Sequence, residues 1–272
     1  MKDMKFVGHT MGTPNLTVAE AIKLYQTIGL DGIEIVAQEG GAFSIDDSAD
    51  KIETILSEAK KLPDGVVTLT PYYWDINNID PKIAEENICG MKRAIDLAKK
   101  MGAGFVRAYG GKEEAGGTWE ENWKNAVAAM KEIGRYASGT GVTVLVENHP
   151  GTVTRTGENT YKLINEAGFD SVRALYDPAN VLHDTEEDWK DTFEVQKDII
   201  GYVHVKDYYM EGTERKACVV GKGIVPWSEI MKLLSGYRGY LSFEYEKRWY
   251  PDQLPDAETG VKECVDYIKS LL

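Results

Sequence analysis

Apolar and polar positions follow one repeating pattern along the chain. Short aliphatic or β-branched runs alternate with longer stretches whose apolar residues recur every three or four positions. The runs predict strands at Lys5–Gly8, Gly32–Val36, Val66–Thr70, Phe105–Tyr109, Thr143–Glu147, Ala174–Asp177, Tyr202–Lys206 and Leu241–Tyr245. The intervening stretches predict helices over about 17–28, 48–61, 81–101, 119–139, 158–167, 186–199, 227–235 and 257–271. Helix-boundary signals agree. Thr17 followed by Glu20 fits a capping box, Pro81 and Pro226 suit a first helical turn, and Gly29, Gly102 and Gly168 suit helix C-termini.

Strands alternating with helices imply a parallel sheet joined by crossover helices. Eight units over 272 residues leave about 34 residues for each. An open doubly wound sheet would normally carry a glycine-rich phosphate loop after its first strand. Here that strand runs into GHTMGTPN, which has no GxGxxG. The expectation is a single α/β domain over residues 1–272, a closed (β/α)8 TIM barrel.

Composition narrows the function classes. Hydrophobic residues at 43% and charged residues at 28% are ordinary for a globular protein. No apolar run approaches the ~18 residues of a membrane span, and the opening MKDMKFVGHTMG lacks the apolar stretch of a secretion signal, which points to the cytoplasm. Cys89, Cys218 and Cys264 are far apart and odd in number, which disfavours a disulfide framework or thiolate zinc site. A net charge of −13 argues against nucleic acid as a partner, because that binding depends on lysine and arginine displacing counterions.

In a barrel of this kind the C-terminal strand ends carry the chemistry. The fifth strand ends with Glu147, Asn148 and His149, and the sixth with Asp177 and Asn180. The seventh carries His204, Lys206 and Asp207, and the eighth carries Glu244 and Glu246. The steps 147 to 177, 177 to 204 and 204 to 244 are each one βα unit. One such glutamate is usually an ion-pair partner, and one such histidine a hydrogen-bonded core residue. Four at equivalent positions on successive strands point instead to a shared cation. Three close carboxylates would resist ionising together, and a divalent ion removes that repulsion. Three oxygen donors with one imidazole suit Mn²⁺ or Mg²⁺, with Co²⁺, Fe²⁺ and Zn²⁺ as alternatives. Glu246 is the alternative ligand if the strand register differs.

The segments GLDGIEI, FVRAYGG, VLVENHPGT, YDPANVLHD, VHVKDY, GKGIVPWSEI and GYLSFEYE together resemble the sugar phosphate isomerase/epimerase group of xylose isomerase-like TIM barrels. The resemblance covers most of the chain and is strongest from Gly104 onward. It implies one metal bound by Glu147, Asp177, His204 and Glu244, with His149, Asn180, Lys206 and Arg107 facing the substrate. It also brings in the association common in that group, a homodimer or homotetramer. The chain departs from the ketohexose 3-epimerase branch at Asn180, where that branch carries histidine, and at the HPGT segment, which argues against a free ketohexose held in the same manner.

The implied activity is isomerisation or epimerisation of a small sugar or sugar derivative through a metal-stabilised enediolate. Glu147 and Glu244 would flank the substrate, one removing a proton and the other returning it. The alternative is a metal-dependent dehydratase of an inosose or related keto compound, in which the same proton abstraction is followed by loss of a β-hydroxyl. An AP-endonuclease-like repair enzyme fits poorly with only four histidines (His9, His149, His183 and His204) and an acidic chain. A non-catalytic sugar-binding barrel would not need the ligand set. Tyr72, Tyr73, Trp74, Tyr109 and Trp249 are candidates for an aromatic wall against a sugar.

Overall fold

The structure is a computed structural model that describes residues 4–185 and 187–272, without the side chains of His183 and Asp184. Its elements follow in the order β1 (Lys5–His9), α1 (Val18–Ile28), β2 (Gly32–Ala37), α2 (Ala49–Ala59), β3 (Gly65–Pro71), α3 (Pro81–Met101), β4 (Phe105–Tyr109), α4 (Trp119–Ala137), β5 (Thr143–Glu147), α5 (Gly157–Ala167), β6 (Val172–Tyr176), α6 (Pro178–Asp184), α7 (Trp189–Gln196), β7 (Ile200–Val205), β8 (Asp207–Glu211), β9 (Glu214–Cys218), α8 (Trp227–Leu233), β10 (Tyr240–Phe243) and α9 (Ala257–Ser270). Eight strands close a barrel in the order β1-β10-β7-β6-β5-β4-β3-β2, while β8 and β9 form a separate two-stranded sheet. Among the described residues no helix is long and apolar enough to cross a membrane.

The chain divides into two compact units. The first runs to Val36, resumes over Gly40–Val67 and ends with Val203–Leu272. In it β1 pairs in parallel with both β10 and β2. Every residue of β2 is buried, as expected of a parallel strand covered on both faces. The second unit comprises Ala37–Glu39 and Thr68–Tyr202, with β4 paired in parallel to β3 and β5, and β5 to β6.

Local signals explain the element boundaries. Thr17 and Glu20 close a reciprocal capping box on α1, which ends at Gly29 with φ 82°. Pro81 opens α3 behind the Asp80 cap, and Gly102 and Gly168 end α3 and α5 in left-handed conformations. Pro226 is a correction. It is the N-cap of α8, one residue before the first helical turn, and supplies no side-chain cap.

Three further differences have physical causes. β6 stops at Tyr176, because Asp177 turns its carboxylate onto the amides of Ala179 and Asn180 and caps α6, a short helix absent from the predicted set. β10 stops at Phe243, so Glu244 follows the strand rather than lying in it. The hairpin β8–β9 was also not anticipated, and it turns at Gly212 with φ 62°. The helix predicted over 186–199 begins on Glu186, which lies outside the described residues. The helix there starts at Trp189 behind an Asp188 cap.

Gly8 shows how tightly the first strand is seated. A Cβ on Gly8 would lie 2.4 Å from the Tyr25 ring, and the Tyr25 hydroxyl is tied to the carbonyl of His9 at 2.6 Å. The ring therefore has little room to retreat. Gly8→Ala is expected to cost about 1–3 kcal/mol by overpacking, measured by urea unfolding. A loss under about 0.5 kcal/mol would show that the ring shifts without strain.

Candidate metal centre

In the first unit, His9 closes β1 and is in register with Glu34 of β2, while Gly8 is in register with Phe243, one residue before Glu244. Parallel pairing thus brings the ends of β1 and β10 level with the middle of β2. Glu34 Oε1 lies 3.3 Å from Nε2 of His9 and 3.3 Å from Nε2 of His204. The two imidazoles meet edge to face, 5.6 Å between centroids. On its other side the His204 ring turns Nδ1 toward Glu244 Oε2 at 3.5 Å. Lys206 Nζ donates to that same oxygen at 2.6 Å and lies 3.8 Å from Glu246. Arg215 of the hairpin donates to Glu246 at 2.8 Å and its guanidinium lies over the Tyr208 ring. Glu246 is thereby held by Arg215 and belongs to neither candidate cation group.

Burial by itself would push Glu34 and Glu244 toward the neutral form. For Glu34 the imidazoles of His9 and His204 outweigh it. For Glu244 it is outweighed chiefly by the Lys206 ammonium. Both carboxyls are therefore held well below the ordinary glutamate range.

The second unit places Glu147 at the end of β5 and Asp177 just after β6. The amide of Asn148 ties these two segments together, donating to the Asp177 carbonyl at 2.7 Å and accepting from the Asp177 amide at 2.9 Å. Asn180 donates to Glu147 Oε1 at 3.3 Å and to the Asn148 carbonyl at 3.1 Å. Arg107 Nε lies 3.6 Å from Glu147 Oε2, with its guanidinium 3.9 Å from the centre of the Tyr109 ring and 4.9 Å from that of Tyr72. Burial opposes the charge on Arg107, but Tyr109 and Glu147 outweigh it and raise its pKa further.

Trp74 stacks on Tyr109 at 3.5 Å, and the half-buried His149 meets both rings edge-on. Pro150 offers only a carbonyl, at 2.7 Å, so His149 Nδ1 carries the proton and Nε2 is its acceptor face. Tyr73 packs against Gly90, and Trp249 is exposed beneath the guanidinium of Arg248.

One ligand atom from each of His9, Glu34 and His204 lies within 4.8 Å of the others. Those three residues and Glu147, Asp177 and Glu244 are all buried. Of the four residues singled out in the sequence, Glu147 and Asp177 lie in the second unit, and His204 and Glu244 in the first. The structure gives Asn180, Lys206 and Arg107, expected to face a substrate, carboxylate neighbours: Glu147 for Asn180 and Arg107, Glu244 for Lys206. His9 and Glu34 were not singled out; the strand-end rule that found the others covers His9 at the end of β1, but not Glu34, which lies in the middle of β2.

A match to the family model described as xylose isomerase-like TIM barrel spans residues 22–271. The chain belongs to that family. Among curated proteins, inosose dehydratase of Clostridium perfringens (strain 13 / Type A) is 28% identical over 148 residues, 47% of this chain and 48% of that protein. The chain thus spans about half the length of that relative. Fructoselysine 3-epimerase of Shigella flexneri is 24% identical over 251 residues, covering 89% of this chain and 90% of that protein. Among solved structures, the IOLI protein with a bound zinc atom superposes with a TM-score of 0.82 at 20% identity, covering 99% of each chain.

The depressed carboxyls predict a definite acid response. A group whose folded-state pKa is lowered contributes stability above its unfolded value and loses that contribution as pH falls through the folded value. The Lys206→Met variant leaves Glu244 buried without its ammonium. Metal-free, it is expected to lose about 3–5 kcal/mol at neutral pH and to begin its acid loss at higher pH than wild type. Urea unfolding of both proteins over a pH series checks this. The difference between the two proteins is the readout. Superimposable profiles would show that Lys206 does not hold Glu244 ionised.

Proposed function

We propose that the chain is a divalent-metal-dependent isomerase or epimerase of a small sugar or sugar derivative, with Glu147 and Glu244 as its acid–base pair. The observation that carries this reading is the burial of Glu147 and Asp177 at the ends of β5 and β6, and of His204 and Glu244 at the ends of β7 and β10. The donor set fits a cation. Buried carboxylates are costly as anions without a counter-charge, and oxygen-rich sets with one imidazole suit Mn²⁺, Mg²⁺, Co²⁺, Fe²⁺ or Zn²⁺. The zinc of the IOLI protein supports a metal on this fold, with manganese the first choice for so carboxylate-rich a set.

When bound, such an ion supplies Lewis-acid polarisation of a carbonyl. The chain's own residues do the rest. One glutamate removes the proton from the carbon beside the carbonyl, and the other returns a proton to the opposite face or to the adjacent carbon. Asn180 and Arg107 flank the two oxygens of Glu147 and fix the plane of its carboxylate. Lys206 plays the same part for Glu244. His149 offers Nε2 to a substrate hydroxyl, and the stacked Trp74 and Tyr109 beside it form an aromatic wall suited to the apolar face of a sugar.

The fructoselysine 3-epimerase match, which runs nearly the length of both chains, supports epimerisation. The inosose dehydratase matches support a second reading, proton abstraction followed by loss of a β-hydroxyl. The decisive assay is a panel of ketoses, keto-sugars and inososes incubated with Mn²⁺ in D₂O, read by product mass. An isomer keeps its formula and gains one deuterium on carbon, whereas a dehydratase product loses water. A product with no deuterium on carbon would rule out the proton-transfer step. Glu147→Gln and Glu244→Gln are each expected to lose about 10²–10⁴-fold in kcat, and chelation of the metal should abolish turnover until the ion is restored.

A further inference from the structure

Glu34 is fully buried on β2, and no substrate, metal or catalytic role falls to it in the reading above. Its Oε1 meets the Nε2 atoms of two histidines at equal distance, 3.3 Å. What each ring does follows from its other nitrogen. His9 Nδ1 lies 3.0 Å from the amide nitrogen of Met11, a group that can only donate. His9 Nδ1 therefore carries no proton, and the ring proton sits on Nε2, facing Glu34. With its lone pair already engaged at Nδ1 and a proton on Nε2, His9 is not a metal ligand. This removes the trio His9, Glu34 and His204 as a second cation site, although its atoms are close enough for one.

His204 is arranged the other way round. Its Nε2 is within hydrogen-bond distance of Glu34, and its Nδ1 faces Glu244. We infer that Glu34 is a positioning residue of the candidate metal centre: by accepting Nε2–H from His204 it fixes the tautomer that turns the Nδ1 lone pair toward Glu244. A carboxylate behind a ligating imidazole sets ring orientation and basicity, and its loss typically costs about 10–100-fold in metal affinity. His9 faces the same oxygen at 3.3 Å without hydrogen-bond geometry, a spectator imidazole locked by the main chain. This inference rests on the metal-dependent reading of the site.

The test uses the full chain labelled with ¹⁵N-histidine, in wild type, Glu34→Leu and Glu34→Gln. Long-range ¹H–¹⁵N spectra of the metal-free protein report which ring nitrogen carries the proton, and titration with Zn²⁺ reports affinity. In wild type both His9 and His204 are expected as the Nε2–H tautomer. In Glu34→Leu, His9 should keep that tautomer because the Met11 amide holds it, while His204 loses it and Zn²⁺ affinity falls about 10–100-fold. His204 unchanged in Glu34→Leu, or Zn²⁺ affinity within about threefold of wild type, would overturn the inference. Should Glu34→Leu fail to fold, Glu34→Gln decides. Its neutral carbonyl accepts more weakly than a carboxylate, so a partial loss of both signals is expected, and a variant indistinguishable from wild type in both overturns the assignment. A wild type that binds no Zn²⁺ overturns the metal reading itself, and the His204 tautomer in the variants still decides whether Glu34 sets the ring.

Discussion

Removing a carboxylate from water costs several kcal/mol unless charge or hydrogen bonds replace the solvent, and this chain does so at Glu34, Glu147, Asp177 and Glu244. That cost organises the neighbourhood. Each of the four meets partners that offer protons or positive charge: imidazoles for Glu34, an ammonium for Glu244, a guanidinium and an amide for Glu147, and main-chain amides for Asp177. The cationic and amide groups that the sequence suggested would point at substrate are largely engaged in this compensation. Such a centre is built to keep its anions ionised, the state in which a carboxylate can hold a cation or take a proton.

The fold meets this demand by register. Parallel pairing puts His9 beside Glu34, and Tyr109 beside Glu147, at the same level of neighbouring strands. Segments beyond the strands then refine the aim. Asn148 links the ends of β5 and β6 through two hydrogen bonds to the Asp177 main chain, and the Trp227 indole donates to the carbonyl of Lys206 at 3.0 Å. Hydrogen bonds between side chain and main chain thus carry the positioning where strand pairing ends.

Most of the architecture was legible because it rests on periodicity. Among the described residues, all eight barrel strands and eight of the nine α-helices coincide with predicted segments, apart from their ends. What escaped depends on single residues. In YDPAN, Asp177 looks like the last residue of a strand, yet its side chain competes for the amides of Ala179 and Asn180 and starts a helix of only seven residues. The hairpin β8–β9 is five residues on each arm, and its sequences DYYME and ERKAC carry little apolar alternation. Glu147, Asp177, His204 and Glu244 stood out because they recur at one βα interval. His9 and Glu34 did not, because each is a single unremarkable polar residue, at the end of β1 and in the middle of β2, whose meaning appears only when the two strands are paired and the Glu34 carboxylate meets the rings of both His9 and His204.

Asp207 is the first residue of the hairpin, and its carboxylate accepts from the amides of Tyr208, Gly221, Gly223 and Val225. Four main-chain donors on one side chain gather both feet of the excursion between β7 and α8 into a single knot. Lys206, immediately upstream, is thereby insulated from whatever happens at the tip around Gly212. The tip can lengthen, shorten or change its chemistry without disturbing the ammonium beside Glu244.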